Sequence, residues 1–273
     1  MSSMTSTPNS GPHAGSAARW GPLWGARPED WAHTEEQQRP FYEEAIRRVG
    51  LAAGQRVLDI GCGSGVFLGL AADRGALPSG IDASEELLAL ARRRVPEADL
   101  SLGDMQFLPY HDDAFDLVTG FTSFFFASDI VAALREAGRV AVPGAPVVIQ
   151  VWGPPERCDL EAMKAVVRPF MPSGPPETPA PPPLWKPGVL EAIASQAGLR
   201  PDVAFDFGFA YEYPDAETLG RMLVAPAGIA SLVGPDREES VRAEIVDVLS
   251  PYRSARGGYR LHNEFRALVA RAV

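Results

Sequence analysis

Val57-Leu58-Asp59-Ile60-Gly61-Cys62-Gly63-Ser64-Gly65 decides the fold of this chain. The apolar run into Asp59 and Ile60 has the character of a buried strand, and the glycines make it end in a tight turn. Without Cβ atoms, Gly61, Gly63 and Gly65 let a ligand reach the backbone and allow positive φ without steric cost. Val66-Phe67-Leu68-Gly69-Leu70-Ala71 then reads as a helix packing back on the sheet. A dinucleotide site would need G-x-G-x-x-G, but the third position falls on Val66. Asp59 before the first glycine would also repel a pyrophosphate and suits a ligand with a cationic amine.

Downstream, strands and helices alternate. Ala76–Ile81 reads as a strand ending at Asp82, 23 residues after Asp59 (82 − 59), about the distance at which an acid meets a ribose in a β-α-β unit. Ser84 caps a helix with Glu85 and Glu86 in its first turn and Arg92, Arg93 and Arg94 in its last, matching the macrodipole at both ends. Further strands are expected over 98–102, 115–121 and 146–152, with a helix near 129–137. This alternation predicts an α/β fold with a doubly wound, mostly parallel sheet. In such sheets ligands gather at the carboxyl ends of the strands, where Asp59, Asp82, Asp104 and Phe121 fall.

Outside this core, residues 1–18 are rich in Ser, Thr, Pro and Gly and read as a disordered tail. Two helices are expected around 29–38 and 41–49, separated by Pro40. The many prolines between 172 and 187 preclude regular helix or central strand, leaving an extended loop that is either a linker or a wall over the site. A helix at 189–197, a strand at 201–207, two helices near 216–223 and 238–249, and a last strand at 261–269 complete the reading.

The formal net charge of −10 argues against nucleic acid as the main partner, since phosphate binding needs concentrated Lys and Arg. Two cysteines, one inside the glycine turn, make no disulfide framework, so a reducing cytoplasm is the expected setting. No apolar run reaches membrane-spanning length. The four histidines are scattered and no metal-ligand spacing is present, which disfavours metal-assisted chemistry.

Asp59-Ile60-Gly61-Cys62-Gly63-Ser64-Gly65 resembles motif I of the class I S-adenosylmethionine-dependent methyltransferases. Gly80-Ile81-Asp82-Ala83-Ser84 is similar to the acidic end of their second strand. Gly103 to Tyr110, followed by Phe115-Asp116-Leu117-Val118, resembles the ubiquinone/menaquinone-biosynthesis-type subgroup, of the methyltransferase domain 11/25 kind. Arg139-Val140 with Pro143-Gly144 resembles that subgroup's Arg-Val-x-x-Pro-Gly-Gly turn, with Ala145 replacing the second glycine. The likeness covers roughly residues 55–152 and implies a Rossmann-like sheet of seven strands whose last strand is antiparallel, with helical and loop cap insertions. By that resemblance a methyltransferase domain occupies 19–273, with N-terminal lid helices at 19–50, a Pro-rich insertion at 153–187 and a helical cap at 208–258.

The resemblance implies S-adenosyl-L-methionine as cofactor, bound by Asp59, Gly61, Cys62, Gly63 and Gly65, with Asp59 and the turn backbone on the methionine end. Asp82, next to Ala83, would accept from both ribose hydroxyls, Asp104 from the adenine amino group, and Met105 would offer its backbone amide. Phe121 would lie near the transferable methyl. Asp82 and Asp104 also read as simple caps of the segments that follow them. Trp24, Trp31, Phe124, Phe126 and Trp152 are candidates for an apolar acceptor pocket, or else ordinary core.

Residues 120–126 lack the Asn/Asp-Pro-Pro-aromatic run of amino-group DNA methylation, and neither Cys62 nor Cys158 follows proline as a cytosine-C5 nucleophile does. Three functions stay open. The chain transfers a methyl group to a small molecule at O, N or C, or it acts on protein or RNA, or it binds the cofactor without methyl transfer. The sequence assigns no catalytic residue.

Overall fold

A computed structural model describes residues 15–171 and 182–273. Seven strands form one sheet in the order β3-β2-β1-β4-β5-β7-β6. β1 (Arg56–Ile60) pairs in parallel with β2 (Leu77–Asp82) on one side and with β4 (Leu117–Phe121) on the other. β3 (Asp99–Leu102) joins β2, and β5 (Pro146–Trp152) joins β4, both in parallel. β7 (Tyr259–Arg271) runs antiparallel between β5 and β6 (Arg200–Tyr213). The chain first builds outward from β1 through β2 to β3, then returns to place β4 on the opposite side. That reversal opens a crevice at the carboxyl ends of β1 and β4.

Side chains alternate across the central strands, so each strand feeds two cores. Leu58, Ile60, Val118, Val147, Ile149 and Val151 bury against α6 (Ile130–Val140) and α8 (Val189–Gln196). Val57, Leu117 and Val148 face the other way, onto α3 (Arg39–Val49), α4 (Val66–Ala72) and α5 (Glu85–Arg94). Phe41 of α3 is fully buried there, stacked 6.1 Å from Phe205 and edge-on to Phe265 at 5.4 Å. Burying such a ring is worth roughly 2–3 kcal/mol. Pro40 does not separate two helices; it lies in the first turn of α3, where its missing N–H costs nothing.

The start of the described chain departs from expectation. Residues 1–14 of the expected tail lie outside the described residues, but Ser16 is buried and α1 (Ala17–Trp24) begins inside the segment read as disordered. α2 (Pro28–Glu36) follows and packs on α5. Of the Pro-rich stretch, 172–181 lie outside the described residues. Before it stand 3-10 turns and the short α7 (Lys164–Val167).

β6 and β7 form a hairpin paired as far as Tyr213 and Tyr259, six residues past the expected strand end at Phe207 (213 − 207). Residues 208–213 therefore belong to the strand, and the inserted cap begins at Pro214. The alternating Phe205, Phe207, Phe209, Tyr211 and Tyr213 explain the extension, since one face stays apolar along the strand. α9 (Ala216–Leu223), α10 (Ile229–Val233) and α11 (Pro235–Val248) fold onto the protruding hairpin. Their own core joins Leu219, Leu223, Val241, Ile245 and Leu249 to Tyr211, Tyr213, Tyr259 and Leu261. Among the described residues no helix is long and apolar enough to cross a membrane.

Candidate cofactor and acceptor site

The glycine turn sits between β1 and α4. A Cβ on Gly61, at φ 76°, would stand 2.5 Å from the Ser123 Cβ, so only glycine fits this approach of the β1 and β4 ends. The Ser123 hydroxyl closes the junction by donating to the Ile60 carbonyl at 2.6 Å. The next amides serve acids from other elements. Gly63 N–H donates to Asp82 Oδ2 and Ser64 N–H to Glu35 Oε2, each at 2.9 Å.

Asp82 also accepts from Ser84 N–H at 2.8 Å, leaving each carboxylate oxygen with spare acceptor capacity. Burial pushes its pKa up, against backbone hydrogen bonds from Ser84, Gly63 and Ala83. Asp59 is buried and accepts from the Thr119 hydroxyl at 2.7 Å. Burial lifts its pKa to about 8, opposed by the Thr119 bond and reinforced by the charges of Glu35 and Asp82. Asp104 is engaged by the start of the chain's first helix. Its Oδ2 accepts from Ala17 N–H at 2.7 Å and Ser16 Oγ at 3.3 Å, while Oδ1 takes Gln106 N–H at 2.8 Å.

A cavity opens over the turn, lined by Gly61, Gly63, Asp82, Ala83, Asp104, Met105 and Phe121 among others. Seven of the cofactor residues expected from sequence thus meet on one surface. Asp59, Cys62 and Gly65 are not on its wall. Asp59 lies beneath the turn; Cys62 is in the core, where a Cβ on Gly80 would stand 2.8 Å from its sulfur; Gly65 opens α4 against Ala91.

A second, larger cavity adjoins the first. Trp24, Trp31, Thr122 and Phe126 line both. Their aromatic rings interlock, Trp24 edge-on to Trp31 at 4.7 Å and to Phe126 at 5.5 Å. Trp152, Phe125, Met163, Leu223 and Ile229 extend the apolar wall. Phe124 belongs to neither cavity. It is fully buried below Gly120, whose absent Cβ would stand 2.2 Å from its ring, and it serves as core.

Four features of the site were not read from sequence: Ser16 and Ala17 on Asp104, Glu35 on the turn, Thr122, and Tyr211. Thr122 has φ 48°, a left-handed conformation costly for a β-branched residue, where the two cavities meet. Tyr211 lines the second cavity, and its hydroxyl accepts from Gln38 Nε2 at 2.9 Å, leaving its proton free to donate. Burial and the neighbouring Tyr213 push its pKa well above the ordinary value, so it stays a phenol. At this cavity, too, Glu161 and Lys164 form an ion pair of 2.5 Å.

Residues 58–149 match the methyltransferase domain family. An uncharacterized protein of Mycobacterium tuberculosis is 34% identical over 157 residues, 55% of this chain and 56% of the relative. A demethylmenaquinone methyltransferase of Renibacterium salmoninarum is 34% identical over 119 residues, 44% of this chain and 50% of the relative. The chain thus spans about half the length of the curated relatives it matches. Among solved structures, the [4+2]-cyclase SpnF aligns over 85% of this chain and 80% of its own, with TM-score 0.57 and 24% identity. An S-adenosylmethionine-dependent methyltransferase from Thermotoga maritima aligns over 93% of this chain and 100% of its own, with TM-score 0.55 and 15% identity. S-adenosylmethionine is the cofactor that the matched family and this fold indicate. Seven strands with β7 reversed, a glycine turn at the sheet's switch point and the match over 58–149 agree: the chain has the class I, S-adenosylmethionine-dependent methyltransferase fold, and its residues 58–149 are similar to the methyltransferase domain family.

Proposed function

We propose that the protein transfers a methyl group from S-adenosylmethionine to a small apolar or aromatic acceptor. The observation that carries this reading is the junction of the two cavities through Trp24, Trp31, Thr122 and Phe126. The first cavity has the acceptor carboxylates and open backbone that suit a nucleoside with a cationic amino-acid tail; the second has the apolar walls that suit the methyl acceptor. Asp82 would hold the ribose, the backbone at Gly61 and Gly63 the amino-acid end, and Met105 and Asp104 the adenine. Asp104 must then share or release the donors of Ser16 and Ala17. Asp59 would act from beneath the turn by fixing its shape through Thr119.

When bound, the cofactor supplies an electrophilic sulfonium methyl, so the chain's own task is alignment. The aromatic collar would keep water from the junction and orient the acceptor. None of the four residues shared by the cavities carries an ionisable side chain. The acceptor would attack through its own lone pair or enolate-like carbon, and the proton it gives up would leave through the second cavity, to solvent or to Glu161 on that cavity's wall. Tyr211 would donate a hydrogen bond to an acceptor oxygen in the second cavity.

The lack of an ionisable group where the cavities meet favours one second reading, binding of the cofactor without methyl transfer, and the structurally similar SpnF is a [4+2]-cyclase. Incubation with methyl-labelled cofactor and a panel of quinols, phenols, polyketides, proteins and RNA tests both. Label in a small apolar acceptor supports methyl transfer. Label only in protein or RNA overturns the small-molecule assignment, and tight cofactor binding with label in nothing supports the second reading.

A further inference from the structure

Glu35 has no part in the chemistry above, yet its carboxylate is buried against the glycine turn. Oε2 accepts Ser64 N–H at 2.9 Å, and a Cβ on Gly63 would stand 2.7 Å from the same oxygen. The other side of Ser64 is held as well. Arg94, in the last turn of α5, donates from Nε to the Ser64 carbonyl at 3.1 Å and from Nη1 to Glu36 Oε2 at 2.7 Å. Glu35 and Glu36 are adjacent on α2, so this helix is tied to Ser64 directly by one acid and through Arg94 by the other.

The arrangement joins the two cavities. Consecutive amides of one turn serve different masters: Gly63 N–H goes to Asp82 in the cofactor cavity, and Ser64 N–H goes to α2. α2 in turn carries Trp31, which lines both cavities, and Thr34, which lines the second. A hydrophobic residue would bury more cheaply at position 35, and burial pushes this carboxyl up to about 7 against the Ser64 bonds and the Arg94 charge. Holding a carboxylate there is costly, and its return is a fixed link between turn and helix.

We infer that Glu35 is a positioning residue that latches α2 to the glycine turn, so that filling the cofactor cavity steadies the wall of the acceptor cavity. This rests on the reading of the two cavities given above. Glu35→Ala should cut the link; Glu35→Gln should keep it, because its amide oxygen still accepts from Ser64. Arg94→Ala, at an exposed position, should weaken it in the same direction and leave the core intact.

Hydrogen exchange of residues 28–36, with and without S-adenosylhomocysteine, reads the latch, and calorimetry reads product affinity separately. Wild type should gain protection at 28–36 when product binds. Glu35→Ala should lose that gain and exchange roughly tenfold faster there without ligand, as expected for one lost hydrogen bond. Its product affinity should fall by no more than severalfold, and Glu35→Gln should restore the gain. A Glu35→Ala protein protected at 28–36 as wild type is, with and without product, overturns the latch. Should that variant not fold, a full wild-type gain in Arg94→Ala overturns it. Wild type that binds no product in the calorimeter overturns the cofactor reading, and the coupling with it.

Discussion

Ala17 N–H donates to Asp104 Oδ2 at 2.7 Å, joining the first helix to the far end of the cofactor cavity across 87 residues of sequence. Ser16 Oγ adds a second donor to the same oxygen at 3.3 Å. The carboxylate proposed to accept from the adenine is therefore also the N-terminal anchor of α1. α1 in turn presses on the β2–α5 connection, where a Cβ on Gly21 would stand 2.2 Å from the Ala83 carbonyl. On the proposed reading, helix position and cofactor binding would share one carboxylate.

Asp104→Ala should therefore have two effects at once. Binding of S-adenosylhomocysteine should weaken by roughly 1.5–3 kcal/mol, typical of hydrogen bonds to a charged group. Exchange of the α1 amides should also accelerate. Calorimetry and hydrogen exchange on one preparation check both; loss of affinity with α1 unchanged would make the Ala17 contact incidental.

Asp82→Ala should cost a similar roughly 1.5–3 kcal/mol in cofactor affinity. It should also lower the melting temperature of the free protein, since Gly63 and Ser84 N–H lose their partner. Thermal denaturation and calorimetry separate the two. Wild-type affinity in the variant would reduce Asp82 to a cap.

Among the buried acids, Glu35 and Asp59 set a pH dependence for the free protein, with Asp82 shifted in the same direction. Folding raises Glu35 from 4.5 to about 7 and Asp59 from 3.8 to about 8. Both bind a proton more tightly folded than unfolded, so their contribution is fully present below about pH 4 and is lost as pH rises through 7 to 8. Stability should fall between pH 5 and 8, with Glu35 responsible for on the order of 3 kcal/mol. Urea unfolding at a series of pH values checks this. Glu35→Gln should flatten the curve, and a Glu35→Gln curve as steep as wild type would place the titration elsewhere.

Trp31 lines both cavities and packs on Trp24, so Trp31→Ala should damage use of the acceptor far more than binding of the cofactor. Once an acceptor is identified, its KM should rise at least tenfold while product affinity changes less than threefold, roughly the loss of one buried aromatic contact. Equal losses in both would put Trp31 in the cofactor cavity alone.

The sheet and the turn were legible because their information is local. Alternation of strand and helix, and Asp59 to Gly65 in one run, specify a parallel sheet whose strand ends converge, so Asp82, Asp104 and Phe121 could be placed near the turn before any tertiary contact was known. Glu35 was not legible: Thr34-Glu35-Glu36-Gln37 has the composition of a solvated helix, and its bond to Ser64 closes over 29 residues. Ser16 looks like any tail serine until Asp104 meets it. Phe124 and Phe126 are two residues apart with the same side chain, yet a 3-10 turn sends one below Gly120 and the other into the cavities. Only their different positions around the turn separate them. Tyr211 lay past Gly208, which reads as a strand end but sits within β6.

The hairpin neck at Tyr213 and Gly258 gives the molecule a seam. A Cβ on Gly258 would stand 2.8 Å from the Tyr213 carbonyl, so the two chain crossings lie almost in contact. All of residues 214–257 leave and return through this one point, and their core closes largely on the hairpin and its own helices. The segment makes no contact with Asp59, the glycine turn or Asp82 themselves and reaches that end of the protein through α1 and α2, as in the pair of Arg27 with Glu238 at 2.6 Å. On the proposed reading, a change in this segment would reshape the acceptor wall directly and reach the cofactor end only through those two helices.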